Sequence, residues 1–193
     1  MKYLRRIIWF IATRLVVICL ILGLIITVFY YTMNVSNIQI VLKDGMAGRA
    51  KYVMGISENR NELDRYFQAA CLENDLLVQK TDAGESPYAN YTVRGIDHRL
   101  DVEFFWLWPW ENSVRVNITE QIPRIDGRVR GSKAEEIIAN ADNKSKALYP
   151  PKWTEINMTD SASEVGKDQL EYRVILVREN GQWKIKTLTR INQ

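Results

Sequence analysis

"YANYTVRGIDHRLDVEFFWLWPWENSVRVNITEQI", residues 88–122, alternates apolar and polar side chains over most of its length. Leu100, Val102, Phe104, Trp106 and Trp108 share one parity, opposite Arg99, Asp101 and Glu103, which is the period of two expected of a half-buried strand. Gly95 marks a bulge or bend. Past "PWEN", Val114, Val116 and Ile118 alternate with Arg115, Asn117 and Thr119, so the stretch predicts a long antiparallel hairpin. On this parity Phe104, Trp106 and Trp108 extend the inward face and cover helices, while Phe105, Leu107 and Pro109 break the polar outer face. Core packing accounts for part of the aromatic surface. The surplus at Phe105, Trp106, Leu107, Trp108 and Trp110 is a candidate contact surface, for protein in the first place and for the bilayer surface in the second.

A second hairpin closes the chain. "QLEYRVILVRENGQWKIKTLTRI", residues 169–191, places two strands around Asn180–Gly181, a dipeptide suited to a tight two-residue turn. Helical spacing precedes the strands. In "IQIVLKDGMAGRAKYVMGI", residues 38–56, the apolar positions are Ile40, Val41, Met46, Ala50, Val53 and Met54, interrupted at Gly45, so the helix either continues from upstream or restarts near Asp44. "SENRNELDRYFQAACLENDLL", residues 57–77, predicts a further helix capped by Asn59 or Asn61, with Leu63, Tyr66, Phe67, Ala70 and Cys71 as its inward stripe. Gly131–Asp168 reads as a short amphipathic helix around Ala134–Ala141 within a polar, proline-containing connection.

The N-terminus sets the topology. "IIWFIATRLVVICLILGLIITVFYY", Ile7–Tyr31, carries Arg14 as its only charge and reaches the length of a membrane-spanning helix. Arg14 lies near enough to its start to reach back to the headgroups. The run exceeds a signal-peptide core and ends in "TVFYYTMN" without a small-residue cleavage site, so it is expected to be retained. Lys2, Arg5, Arg6 and Arg14 precede or enter the span, and the positive-inside bias then places the N-terminus in the cytoplasm. The expected division is a cytoplasmic N-terminus at 1–6, a transmembrane helix at 7–33, a juxtamembrane connection at 34–45 and an extracytoplasmic domain at 46–193, on the plasma membrane.

Composition excludes several functions. Of 26 Lys+Arg, those four leave 22 against 23 Asp+Glu, so the outward domain is near neutral and no nucleic-acid partner is expected. One histidine and two cysteines, Cys19 and Cys71, the first within the span, make neither a zinc set nor a disulfide within the domain. No glycine-rich phosphate loop follows a strand, and no cofactor or metal is expected. The one local basic run, Arg124, Arg128, Arg130 and Lys133, is a solvated strand end or a surface for anionic headgroups or cell-wall polymer.

Helix, helix, long bent strands and a closing hairpin of the form "YRVILVRENGQWKIKTL" resemble the NTF2-like superfamily, whose last strands often read as an apolar strand, an Asn-Gly type turn and a Trp-containing strand. Behind a single span, the whole resembles the membrane-anchored NTF2-like subunits of bacterial conjugation and type IV secretion machines or of sporulation channels. The resemblance implies an α+β cone, helices packed on a curved antiparallel sheet, and a structural or assembly role through other membrane or envelope proteins, with self-association compatible. NTF2-like enzymes use a carboxylate or histidine inside the cone. On that alternative, a small-ligand module or lyase/isomerase-like enzyme, Asp97 and His98 beside Gly95 are the pocket candidates, while Asp101 and Glu103 face solvent by parity. A hydrogen-bonded structural His98 is the expectation, and no residue is assigned a catalytic role.

Overall fold

A computed structural model describes residues 2–133, 137, 148–157 and 169–191. One helix, α1 (Lys2–Val53), runs without a break through both the apolar run and the stretch beyond it. Residues 9–30 are exposed on every side, and from Tyr31 a buried stripe begins that includes Asn34, Ile38, Leu42, Met46, Ala50 and Val53. Steps of three and four place these residues on one helical face. The exposed half is long and apolar enough to cross a membrane. Residues 34–45, read as a connection, are helical throughout, and Ile40, placed inward by its spacing, points to solvent.

Gly45 does not interrupt the helix because it serves packing. A Cβ there would lie 3.0 Å from Tyr66 Cβ and 3.3 Å from Ile185 Cδ1, so only glycine lets these segments approach so closely. The helix ends where Gly55 takes φ 70°, with Ile56 N–H donating to Lys51 O and Gly55 N–H to Tyr52 O, a Schellman closure.

The second long helix is corrected into three short pieces. A 3₁₀ turn at Arg60–Arg65, capped by Asn59, precedes α2 (Ala69–Glu73) and α3 (Leu76–Asp82). Tertiary bonding causes the break. Gln68 N–H donates to Ile185 O and Ile185 N–H to Tyr66 O, so the chain at Tyr66–Gln68 pairs as an extended segment along the last strand and covers part of that edge. Asp75 then caps α3 by accepting from Leu77 N–H at 3.0 Å and Val78 N–H at 3.4 Å.

Strands β1 (Tyr91–Val102), β2 (Ser113–Val129), β3 (Gln169–Glu179) and β4 (Gln182–Arg190) form an antiparallel sheet in sequence order. The fold is therefore α+β, with the second half of α1 laid on one face of an open four-stranded meander. The β1–β2 register slips between Val93 and Gly95, next to the glycine that marked the bend, and again between Asp97 and Arg99, where β2 carries Pro123. Asn180 at φ 51° and Gly181 at φ 82° make the expected tight turn between β3 and β4. The helix read around Ala134–Ala141 lies outside the described residues apart from Ile137. Within the same connection, α4 (Trp153–Asn157) delivers Trp153 to the core, a residue the polar reading of that stretch missed.

Candidate functional site

Two places concentrate unusual side chains. The first is a polar network inside the core. Glu120, fully buried on β2, receives Trp153 Nε1–H on Oε2 at 2.9 Å and pairs through Oε1 with His98 Nε2 at 3.0 Å. The Trp153 ring carries the Arg49 guanidinium on its face, 5.5 Å from the ring centre. Arg49 in turn grips Asp75 through Nε and Nη2, at 2.5 and 3.2 Å. Burial opposes the Arg49 charge, but Asp75 above all outweighs it and the pKa is raised. Burial likewise favours neutral Asp75, yet Arg49 and the N–H groups of α3 hold its carboxyl below the usual carboxylate range.

A cavity of about 550 Å³ opens beside this network, with Arg49, Cys71, Asp75, Lys80, Tyr172 and Arg190 in its wall. Arg49 Nη1 and Tyr172 Oη are buried without a hydrogen-bond partner among the described residues. Burial, helped by Glu120, keeps the Tyr172 hydroxyl protonated well above its ordinary range. Cys71 is half-buried, and burial followed by Asp75 pushes its thiol up to about 11, so it is a poor nucleophile at neutral pH. No group of three His, Cys, Asp or Glu among the described residues is placed to hold a metal ion.

Asp97 and His98, the pocket candidates, are kept apart from that cavity. Asp97 faces solvent and binds Arg99 at 2.8 Å, while His98 is spent on Glu120. Arg49 had a signal in the sequence that was not used: it shares the helical face of Met46, Ala50 and Val53, where a charge needs a buried partner.

The second place is the tip of the β1–β2 hairpin, and here the parity is corrected. The ladder ends at Val102↔Ile118, with a last bond from Glu103 N–H to Asn117 O, and beyond it the chain leaves strand geometry. The alternation consequently slips by one. Phe105 and Leu107, read as outward contact residues, are 9% and 1% exposed and belong to the core. Phe104, Trp106 and Trp108, read as inward, are 85%, 57% and 43% exposed, and Trp110 is 71%. The exposed rings form a ladder: Trp106 meets Trp108 edge-on at 5.5 Å, and Trp108 stacks on Trp110 at 5.1 Å and 11°. Trp108 N–H bonds Glu111 Oε2 and holds the turn.

The basic run sits at the other end of the hairpin. Arg124, Arg128, Arg130 and Lys133 are all exposed, and Arg130 N–H reaches Asn90 O. That end lies near Val53, whose carbonyl accepts from Ser86 Oγ. Twenty-two residues of helix separate Val53 from Tyr31, roughly 33 Å at the α-helical rise. The run therefore lies at the end of the core part of α1 away from the helix's exposed apolar stretch. Compared with known proteins, the chain matches no family model, no curated sequence and no solved structure.

Proposed function

We propose that this chain is a single-pass plasma-membrane protein, N-terminus in the cytoplasm, whose extracytoplasmic domain is a structural or assembly component acting through contacts with other envelope proteins. One observation carries the reading: the helix that is bare and apolar over residues 9–30 becomes, without a joint, the helix whose Ile38, Leu42, Met46, Ala50 and Val53 build the core. A domain mounted on its own anchor has no hinge at its base, so its height and tilt are fixed relative to the bilayer. That suits a stationary part of a larger assembly, and confinement to the membrane plane raises the concentration of partners.

An NTF2-like cone, of the kind found in conjugation, secretion or sporulation subunits, is the finer form of this proposal. A helix seated on one face of an antiparallel meander supports it, although fold likeness alone assigns no activity. The sheet face turned away from α1, with Arg99, Asp101, Thr119 and Lys184, is the surface offered to partners. Photo-crosslinking residues at Asp101, Thr119 and Lys184 test it in intact cells. A discrete higher-mass adduct with a protein from at least one position is expected. Absence of any adduct from all three, with the protein at normal abundance, contradicts the proposal.

A second reading, a small-ligand module, is favoured by the cavity with Arg49 Nη1 and Tyr172 Oη lacking partners among the described residues. Arg49 Nη1 can only donate and Tyr172 Oη can donate or accept, so the ligand group would present an acceptor oxygen, as a carboxylate or phosphate does. Acetate or inorganic phosphate should then raise the thermal midpoint of the intact protein, and Tyr172→Phe should reduce the rise. No rise with either anion leaves the assembly reading alone.

A further inference from the structure

We infer that the hairpin tip, Phe104–Trp110, is a second membrane contact, seated in the interfacial layer of the bilayer that α1 crosses, beside the point where the helix leaves it. The inference rests on the anchor part of the proposed function and goes beyond it by naming what covers the tryptophans.

Position is the first argument. The fully exposed apolar part of α1 stops at Tyr30, and the next residue, Tyr31, has its ring 5.0 Å from that of Trp106 and its Oη 3.5 Å from Phe105 O. The ring ladder of Trp106, Trp108 and Trp110 therefore starts at the end of the exposed apolar stretch and leads away from it. An exposed aromatic patch continuous with the outer end of a transmembrane segment lies at headgroup depth. A soluble partner would have to enter that layer to cover it.

Chemistry is the second. "FFWLWPW" at 104–110 contains no charge, and indole, with an apolar body and one N–H, is the side chain that collects at membrane–water interfaces. A cleft of about 320 Å³ is lined by Phe104 and Trp106 of this patch and by Arg115 and Arg173 of the outer sheet face. Both arginines are exposed and make no ion pair among the described residues, and Glu103 in the same wall is taken by Asn117 Nδ2 at 2.9 Å. Apolar rings and guanidinium groups lining one cleft match the acyl–headgroup boundary of a phospholipid, with its phosphate beside the arginines. Two attachment points, helix and tip, would also stop the domain from turning about the α1 axis.

The full chain in phosphatidylcholine–phosphatidylglycerol nanodiscs provides the test. Trp9→Phe removes the tryptophan inside the span, leaving five, of which Trp153 and Trp183 are buried and Trp106, Trp108 and Trp110 form the tip. A nitroxide on the lipid headgroup should quench the emission more than one at mid-chain. The quenching should disappear when the three tip tryptophans are changed to Ser, exposed positions at which the fold, followed by circular dichroism, is retained. Discs made without phosphatidylglycerol, or Arg115→Gln with Arg173→Gln, should lessen it. If the chain remains in the discs but the tip emission is unquenched by lipid and fully quenched by aqueous iodide, the inference is overturned while the anchor stands, and the tip is left for a protein partner. If the chain separates from lipid without detergent, both are overturned.

Discussion

The ring of Tyr31, where the bare stretch of α1 ends, lies 5.0 Å from the ring of Trp106 at the tip of the first hairpin. This pair orients the whole domain. Because Ser86 Oγ bonds Val53 O at the opposite end of the core part of the helix, β1 runs back along α1 toward the span. The aromatic tip thereby lies at the exposed apolar stretch of α1 and the basic run at the far end of the helix's core part. Each consequence can be measured on its own.

Two glycines on α1 make opposite predictions. At Gly45 a Cβ meets Tyr66 Cβ at 3.0 Å, so Gly45→Leu should force the 3₁₀ segment and β4 off the helix and cost about 1–3 kcal/mol or more in chemical denaturation. At Gly48 the nearest atom, Leu63 Cδ2, is 3.4 Å away, an ordinary contact. Gly48→Ala should stabilise by up to about 1 kcal/mol through helix propensity. Equal effects at both sites would contradict the packing described for Gly45.

Asp75 should make the domain acid-sensitive. Its carboxyl has a lower pKa folded than unfolded, so its contribution is complete above the unfolded value of about 3.9 and is lost as pH falls through the folded value. Stability followed by urea titration should hold from neutrality to about pH 4 and then drop. Asp75→Asn leaves the Arg49 charge buried without its partner and should cost about 3–5 kcal/mol at pH 7. The gap between variant and parent should narrow in acid. A gap independent of pH would contradict the ion pair with Arg49 as its source, since Asn caps α3 as well as Asp does.

Glu120 accepts from Trp153 Nε1–H and pairs with His98 Nε2, partners from two different elements. Glu120→Ala should cost more than His98→Ala, because it strands both partners in the core, and the loss should be about 2–4 kcal/mol for the pair of buried groups left unsatisfied. Thermal unfolding of the two variants checks the order. A larger loss at His98 would mean that the histidine has another role.

Much of the architecture was legible in local pattern. The two hairpins follow from alternation and from Asn180–Gly181, because strand period and turn chemistry are properties of neighbouring residues. The long helix was legible in kind but not in extent, since a glycine that breaks helices by propensity is retained here for a close approach that only the fold reveals. The same limit explains the split helix at 60–82. Leu63, Tyr66 and Phe67 do face inward, yet a pair of backbone bonds to Ile185 outcompetes helical continuation.

At the candidate sites the sequence showed composition rather than direction. The abundance of aromatic residues at 104–110 was plain, but extrapolating strand parity past Val102 exchanged the exposed and buried rings, because nothing local signals where the ladder stops. The core network was hidden for a related reason. Arg49, Asp75, Glu120 and Trp153 come from four separate elements, and their meeting depends on tertiary structure alone.

The account stands on α1 crossing the membrane with the domain outside. Impermeant-maleimide labelling of single cysteines at Tyr3 and Glu85, with Cys19 and Cys71 replaced by alanine, measures this in spheroplasts. Glu85→Cys should label in intact spheroplasts and Tyr3→Cys only after permeabilisation, with both proteins remaining in the pellet after alkaline carbonate. Labelling of Tyr3→Cys before permeabilisation, or recovery of the chain in the carbonate supernatant, would contradict it.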